Sequence, residues 1–435
     1  MLFYFALASF IALRFWKWYT STRGQNPLPP GPPSLPILGH ALVMPRKDQA
    51  GVFLDWSKRY GDVVHVEALG QSIIILGSHE AAYDLLEKRS VIYSDRPRFP
   101  TFELPRTTFT PTLHGNAIVK LLSHYIAYGH RVASANDPYP KIAERVTEIL
   151  FGAGTPGLNS VDILPIQVRP EQEELQRGAF KKVQNEMATG TARHSFLSKH
   201  LEEYISSGKQ DDEHLERLSL AAYHMHGVGF ETTWSTVESF IFHIMRFPEI
   251  QKRVHEELDR VLGGRLPDYA DRDSLPYLEC VIQESERWHT VVPLGVPHRV
   301  MEDDIYRGML IPKGSVVISN IQSITHDKRV YRDPETFLPE RFLPKPQGFG
   351  EPIPDYNFGY GRRVCPGRYL ADASIWIVAA SLLTVFEICP KKDKDGLEVM
   401  PPLEYNTSLT SHPKMFQCQF NLRSEKMRAT IESLA

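Results

Sequence analysis

The sequence predicts a mainly α fold with a small β region, held by one N-terminal membrane helix. Three stretches carry this prediction. Asp211–Phe247 contains no proline and reads as one helix of about thirty residues, long for a globular protein. Val63–Glu67 and Ser72–Leu76 are short β-rich runs around Gly70, the pattern of a hairpin. Leu2–Leu13 is almost wholly apolar. An apolar fraction of 42% over 435 residues is ample for a core and too low for a multi-span membrane protein. A net charge of -3 gives no sign of a nucleic-acid partner. Cys280, Cys365, Cys389 and Cys418 are widely spaced with no C-x-x-C, which reads as a reducing compartment and not a disulfide framework.

In chain order, residues 1–20 read as the anchor. Leu2–Leu13 alone falls short of the ~20 residues a span needs. The Arg14–Tyr19 stretch extends it, with aromatics suited to the lipid interface and Arg14 and Lys17 able to snorkel. A cleaved signal peptide is the competing reading, but the positive charges follow the apolar run and no small-residue cleavage site stands out. Charges on that side predict that the bulk of the chain stays in the cytosol. Residues 21–40 read as a hinge. Pro27, Pro29, Pro30, Pro32, Pro33 and Pro36 favour stiff polyproline geometry, either as a spacer after the anchor or as a ligand for a proline-reading domain. Residues 41–435 form the globular part. Ser78–Arg89 reads as a helix, and the Tyr93–Pro97 stretch closes that unit. Apolar periodicity predicts helices at Ala117–Ala127, Pro140–Leu150 and Gln172–Thr189. Pro248 starts a helix that Gly263 and Gly264 end after Leu262. Leu275–Thr290 is a further helix. Pro297–Val300 and Gly308–Gly314 read as strands and turns of a small sheet, and Leu403–Phe420 as a last β-hairpin.

One stretch organises the chain: Phe358-Gly359-Tyr360-Gly361-Arg362-Arg363-Val364-Cys365-Pro366-Gly367. Glycines let a backbone turn tightly and approach a flat partner. A thiol near positive charge or metal becomes a thiolate, a soft ligand. Arg368–Leu383 reads as an apolar helix, so Cys365 stands just ahead of a helix N-terminus, which favours an anion. A Gly-rich turn with one buried cysteine is the plainer reading. The five fixed positions of F-x-x-G-x-R-x-C-x-G would recur by chance in roughly one chain of this length in 10⁴. These residues resemble the cysteine loop of the cytochrome P-450 family, the heme-thiolate monooxygenases, and especially its fungal microsomal members. The resemblance implies a cytochrome P-450-like fold and heme (iron protoporphyrin IX), with Cys365 as axial iron ligand and Phe358, Arg363 and Gly367 around the cofactor. A thiolate axial ligand favours O–O cleavage.

Two further stretches join the resemblance. Within the long helix lies Val228-Gly229-Phe230-Glu231-Thr232-Thr233. Gly229 costs ~1 kcal/mol against alanine in a helix interior, which a bulge or a close ligand would explain. An acid followed by a hydroxyl is a plausible proton relay, and a threonine bonded back to its own helix is the alternative. The resemblance assigns Glu231 and Thr232 the acid and alcohol roles of the oxygen-activating helix. The residue before the glycine is usually small in that family; Val228 is expected to crowd the site. Glu284 and Arg287 share a helix face. E-x-x-R occurs also at Glu103/Arg106, Glu174/Arg177, Glu257/Arg260 and Glu425/Arg428, where surface ion pairing is expected. Only Glu284/Arg287 precedes Pro293 and then Pro339-Glu340-Arg341-Phe342. By resemblance, Glu284, Arg287 and Arg341 form a buried network bracing the cysteine loop, and Arg299 contacts a heme propionate.

The resemblance implies a monooxygenase that inserts one oxygen atom from O₂ into an apolar small molecule: a terpenoid, polyketide or aromatic compound. NADPH electrons would come from a separate flavoprotein reductase, since the chain has no G-x-G-x-x-G strand–turn–helix unit. Arg362, Arg363 and Arg368 are its candidate docking residues. The protein is expected on the lipid of the endoplasmic reticulum, with its catalytic domain in the cytosol and a role in secondary metabolism or xenobiotic oxidation. Family members also carry a W-x-x-x-R helix that holds a propionate. Here no tryptophan lies between Trp56 and Trp234, which points to a deletion near residues 100–107 and to loosely held heme. The competing functions are a heme-thiolate isomerase or dehydratase, and a truncated, weakly heme-binding, non-catalytic homologue.

Overall fold

The structure, a computed structural model, describes residues 26–97 except 37, 46 and 69, residue 128, and residues 170–432 except 209–210 and 407–408. The expected anchor, the helices at 117–127 and 140–150, and the deletion near 100–107 lie outside the described residues. The chain divides into two units. The first draws on Met1–Arg98, Val292–Thr336 and Pro352–Cys365, the second on Phe99–Val291, Phe337–Glu351 and Pro366–Ala435.

The first unit is built on a four-stranded sheet. Strands β1 (Val63–Ala68) and β2 (Gln71–Leu76) form the expected antiparallel hairpin, and Gly70 takes a φ of 89° that the turn requires. Short strands follow at β3 (His298–Arg299), β4 (Asp304–Tyr306) and β5 (Met309–Ile311), then β6 (Val316–Ser319). β6 pairs parallel with β2 and antiparallel with β3, giving the order β1-β2-β6-β3. Ile73–Leu76 and all of β6 are buried. Continuous apolar runs suit strands covered on both faces. Helix α1 (Gln49–Tyr60) is tied to β6 by Asn320 Nδ2, which donates to Ala50 O at 2.9 Å. β4 and β5 pair antiparallel as a separate two-stranded sheet. The proline run docks on both sheets: His65 N of β1 donates to Pro30 O at 3.0 Å and Leu310 N of β5 to Pro27 O at 2.8 Å. The helix expected over Ser78–Arg89 is broken. His79–Ala82 is α, Tyr83–Lys88 widens to a π turn, and Ser90–Tyr93 resumes as α. Such single-turn widenings tend to mark functional positions.

The second unit is helical. In order come α2 (Pro170–Ala188), α3 (Phe196–Ser206), α4 (Asp212–Ile244), α5 (Pro248–Leu262), α6 (Pro276–Trp288), α7 (Arg368–Val385) and α8 (Glu425–Glu432). α4 is the long helix the sequence predicts. Asp211 caps it by accepting from His214 N at 3.1 Å. Pro248 and Gly263, with φ 59°, bound α5 as expected. α3, on which the sequence is silent, starts at a Ser195/Ser198 capping box. Phe240, Phe242, Val254, Leu278, Val281, Trp376, Ala380 and Leu383 from α4, α5, α6 and α7 make the main core. Among the described residues α7 is the helix long and apolar enough to cross a membrane, but its Trp376, Ala380 and Leu383 are fully buried in that core.

The expected hairpin over Leu403–Phe420 forms only at its base: among the described residues Asn406 N donates to His412 O and Lys414 N to Glu404 O, both at 2.9 Å. Strand β8 (Cys418–Leu422) pairs with β7 (Phe386–Pro390), and inside the tail one isolated bridge joins Tyr405 and Pro413. β7 directly extends α7, where helical apolar periodicity hides a strand. Glu257 also departs from expectation. Leu275 gives α6 no side-chain cap, and Glu257 reaches over from α5 to accept from Tyr277 N at 3.0 Å and Leu278 N at 2.9 Å. It is a buried helix cap and not a surface ion-pair partner. Glu257→Ala leaves two buried N–H groups without that acceptor and is expected to cost about 2–3 kcal/mol. The urea midpoint checks this; an unchanged midpoint removes the cap from the account.

Candidate functional site

The first unit carries the cysteine loop. A 3-10 turn at Asp355–Phe358 leads into Gly359 at φ 83° and Gly361 at φ 57°, then a second turn at Gly361–Arg363. Gly361 is forced twice. Its φ disfavours any side chain, and a Cβ there would lie 2.3 Å from Leu86 O in the π turn. Its N–H donates to the Glu87 carboxylate. The chain then doubles back, and Cys365 N donates to Phe358 O at 2.8 Å. Phe358 and Cys365 are both half-buried, and none of the four cysteines is in a disulfide. Gly367, in the second unit, has an ordinary φ of -86° as N-cap of α7, so the backbone angle there does not demand glycine.

Beside this loop the same unit gathers positive charge. Arg363 Nε donates to Ser94 O at 2.7 Å. Arg96 Nη1 donates to Val296 O at 2.6 Å and Pro297 O at 2.7 Å. Arg299, on β3, lies 3.7 Å from Asp95, both about half exposed. Burial, then the neighbouring Arg363 guanidinium, push Arg96 down to about 10. Burial followed by Arg96 holds His298 down at about 4. Like charges crowded in this way call for an anion. Sequence reasoning placed Arg299 and Arg363 here and missed Arg96, because its neighbours at 296–297 lie two hundred residues away. A heme offers two carboxylates and an iron that a cysteine thiolate can bind. Arg96, Arg299, Arg363 and Cys365, drawn together in one unit, fit that group.

The second unit holds the other predicted residues. Glu284, Arg287 and Arg341 are fully buried. Arg287 Nε and Nη2 donate to Glu284 at 2.7 and 2.9 Å, and Arg341 Nε does so at 2.8 Å. Leu338 N adds a bond to Glu284 at 2.8 Å, and Arg341 Nη1 donates to Glu351 at 2.6 Å. On α4, Thr232 Oγ1 donates to Val228 O at 3.0 Å, the back-bonded arrangement. Glu231 Oε1 accepts from Thr410 Oγ1 at 3.3 Å. The helix runs through Gly229 without a bulge. A Cβ on Gly229 would meet no described atom within 4 Å, so among the described residues no packing demands the glycine. Val228 is 42% exposed. Arg362 and Arg363 are exposed in the first unit, and Arg368 belongs to the second.

Comparison with known proteins follows this geometry. A family model described as cytochrome P450 matches residues 29–114 and 166–420. The chain is 33% identical to cytochrome P450 monooxygenase 176 of Postia placenta, over 93% of this chain and 92% of that one. It is 33% identical to cytochrome P450 monooxygenase ple1 of Rhodocybe pseudopiperita, over 98% and 96%. With cytochrome P450 monooxygenase COX2 of Coprinopsis cinerea the identity is 32%, over 96% and 94%. The first two alignments run over 478 and 501 positions, more than the 435 residues of this chain, so those relatives hold stretches that it lacks.

The buried network makes its own prediction. Glu284→Gln keeps the shape and removes the charge that faces two buried guanidiniums. The expected loss is about 3–5 kcal/mol in unfolding free energy. Glu425→Gln, at a pair whose carboxylate is 87% exposed, should hardly move the urea midpoint. Equal shifts for the two variants would refute the network's role.

Proposed function

The chain belongs to the cytochrome P450 family, whose cofactor is heme, and on that premise we propose that it is a membrane-held monooxygenase with Cys365 as the axial ligand. Its substrate is an apolar small molecule of the terpenoid, polyketide or aromatic class, and its electrons come from NADPH through a separate flavoprotein reductase that docks near Arg362, Arg363 and Arg368. The carrying observation is the cysteine loop, pinned by Gly361 against the π turn and flanked by Arg96, Arg299 and Arg363. Bound heme supplies the oxygen chemistry. The chain's residues do the rest: Cys365 holds the iron, the arginines neutralise the propionates, and Glu231 and Thr232 hold protons for delivery. The N-terminal anchor on the endoplasmic reticulum and the cytosolic catalytic domain complete the proposal. The sequence from Leu2 to Tyr19 supports both.

The missing stretches belong to the same reading. Alignments longer than this chain support an internal deletion, and the lack of a tryptophan between Trp56 and Trp234 fits the loss of a W-x-x-x-R helix. Loss of one charge-assisted bond to a propionate costs ~1.5–3 kcal/mol, or roughly 10 to 150 in heme affinity.

The reduced, CO-bound absorption spectrum tests ligand and loading together. We expect a thiolate-type band in the natural chain that Cys365→Ala abolishes, and a heme content below one per chain that rises with added heme. A band that survives Cys365→Ala rejects that residue as ligand. Full, slowly exchanging heme in the natural chain rejects the loose-binding consequence alone.

Thr232→Ala is expected to raise hydrogen peroxide released per NADPH consumed several-fold, at the expense of product. An unchanged ratio takes Thr232 out of proton delivery.

A further inference from the structure

The tail residues around Thr410 lie along α4 and meet it at two points on one helix face. Thr410 Oγ1 donates to Glu231 Oε1 at 3.3 Å. Two residues on, His412 Nδ1 lies 3.6 Å from Glu238 Oε2. Glu231 and Glu238 are seven apart, two helical turns or about 10 Å along the axis. Thr410 sits in a bend two residues before His412, and from there the one tail segment reaches both acids. Other groups hold it in this register. Fully buried His243 lies 2.8 Å from Ser285 Oγ and 2.6 Å from Tyr405 Oη. His289 stacks on Tyr405 at 3.4 Å, and its Nε2 is 3.0 Å from Ser411 Oγ.

The two ends differ in their access to water. Thr410 is 1% exposed, whereas the side chains of Glu238 and His412 are 25% and 32% exposed. Burial raises the Glu238 carboxyl to about 7; His412 pulls it down and Glu231 pushes it further up. Cys418 faces the same carboxylate from β8, and its thiol is raised by burial and then by Glu238. An acid raised in this way keeps its proton below neutral pH and loses it as pH rises through 7.

We propose that Glu238 and His412 form a solvent-side proton station that resupplies Glu231 through Thr410. This rests on the reading of Glu231 as the acid of oxygen activation. A proton enters at His412 and passes to Glu238, then crosses to Thr410 through water. Thr410 hands its hydroxyl proton to Glu231 and takes the water's, so each transfer conserves protons. Glu238 and His412 are positioning residues in this scheme, since neither touches substrate or cofactor.

The test uses the full, heme-loaded chain. Infrared difference spectra of the resting protein should show a carboxylic-acid band titrating near pH 7. Glu238→Gln should remove it, and His412→Gln should move its titration to higher pH, because the neighbour that pulls this carboxyl down is lost. In turnover, the fraction of NADPH lost to peroxide should climb several-fold as pH rises through 7. Glu238→Gln should make that fraction high and independent of pH, and Thr410→Val should raise it while leaving the infrared band in place. A band that persists in Glu238→Gln, or a peroxide fraction that this variant leaves untouched while Glu231→Gln raises it, overturns the station alone. If Glu231→Gln itself changes nothing, the assignment of Glu231 as the acid falls and the station falls with it.

Discussion

The second unit depends on one buried carboxylate. Removing Glu284, Arg287 and Arg341 from water costs several kcal/mol per ion, and that cost is recovered only if every donor and acceptor is met. The cluster meets the condition. Glu284 takes bonds from both guanidiniums and from Leu338 N, and Arg341 passes its remaining charge to Glu351. Two cations and two anions leave the cluster neutral. A hydrophobic replacement of equal volume would stabilise the fold as well or better. The charges tie α6 to the Phe337–Glu351 segment through Leu338 N and Arg341, and a shift between the two would break these bonds. That segment stands directly before the stretch leading to Cys365 in the chain.

The features legible in the sequence are those whose cause is local. Pro248, Gly263 and Gly70 punctuate the chain where the backbone needs them. The cysteine loop is legible for the same reason, since Gly359 and Gly361 sit at positive φ within six residues of Cys365. What escaped depends on distant partners. β6 joins β2 across some 240 residues, and β8 finds β7 across thirty, and neither register is written in local periodicity. The π turn at Tyr83–Lys88 looks like plain helix in sequence. Its widening belongs with the close approach of Gly361 to Leu86 O.

The E-x-x-R pairs show the limit most clearly. At the level of spacing Glu257/Arg260, Glu284/Arg287 and Glu425/Arg428 are equivalent. In the structure the first carboxylate caps another helix, the second anchors a buried network, and the third makes a 3.0 Å pair on the surface. Burial decides between them, and burial is a property of the whole unit. The context of Pro293 and Arg341 singled out the right pair only by resemblance. Arg96 had no such context, so its place beside Arg363 came from the fold alone.

The last constraint concerns Thr232. Its hydroxyl proton is committed to Val228 O, and a donor engaged there cannot hand the same proton to a bound ligand. Service at the site therefore requires the side chain to trade that bond. A hydrogen bond of this kind is worth about 0.5–1.5 kcal/mol net, so the trade is within thermal reach. Helix α4 keeps its backbone ladder through Gly229 whichever way the hydroxyl points, so the switch costs a rotamer and not a turn of helix. A donor that alternates in this way needs a nearby reservoir to refill it. Glu231 is adjacent in sequence and already accepts from Thr410. On this stretch Thr232 bonds back to its own helix, while Glu231 accepts from the tail hydroxyl of Thr410.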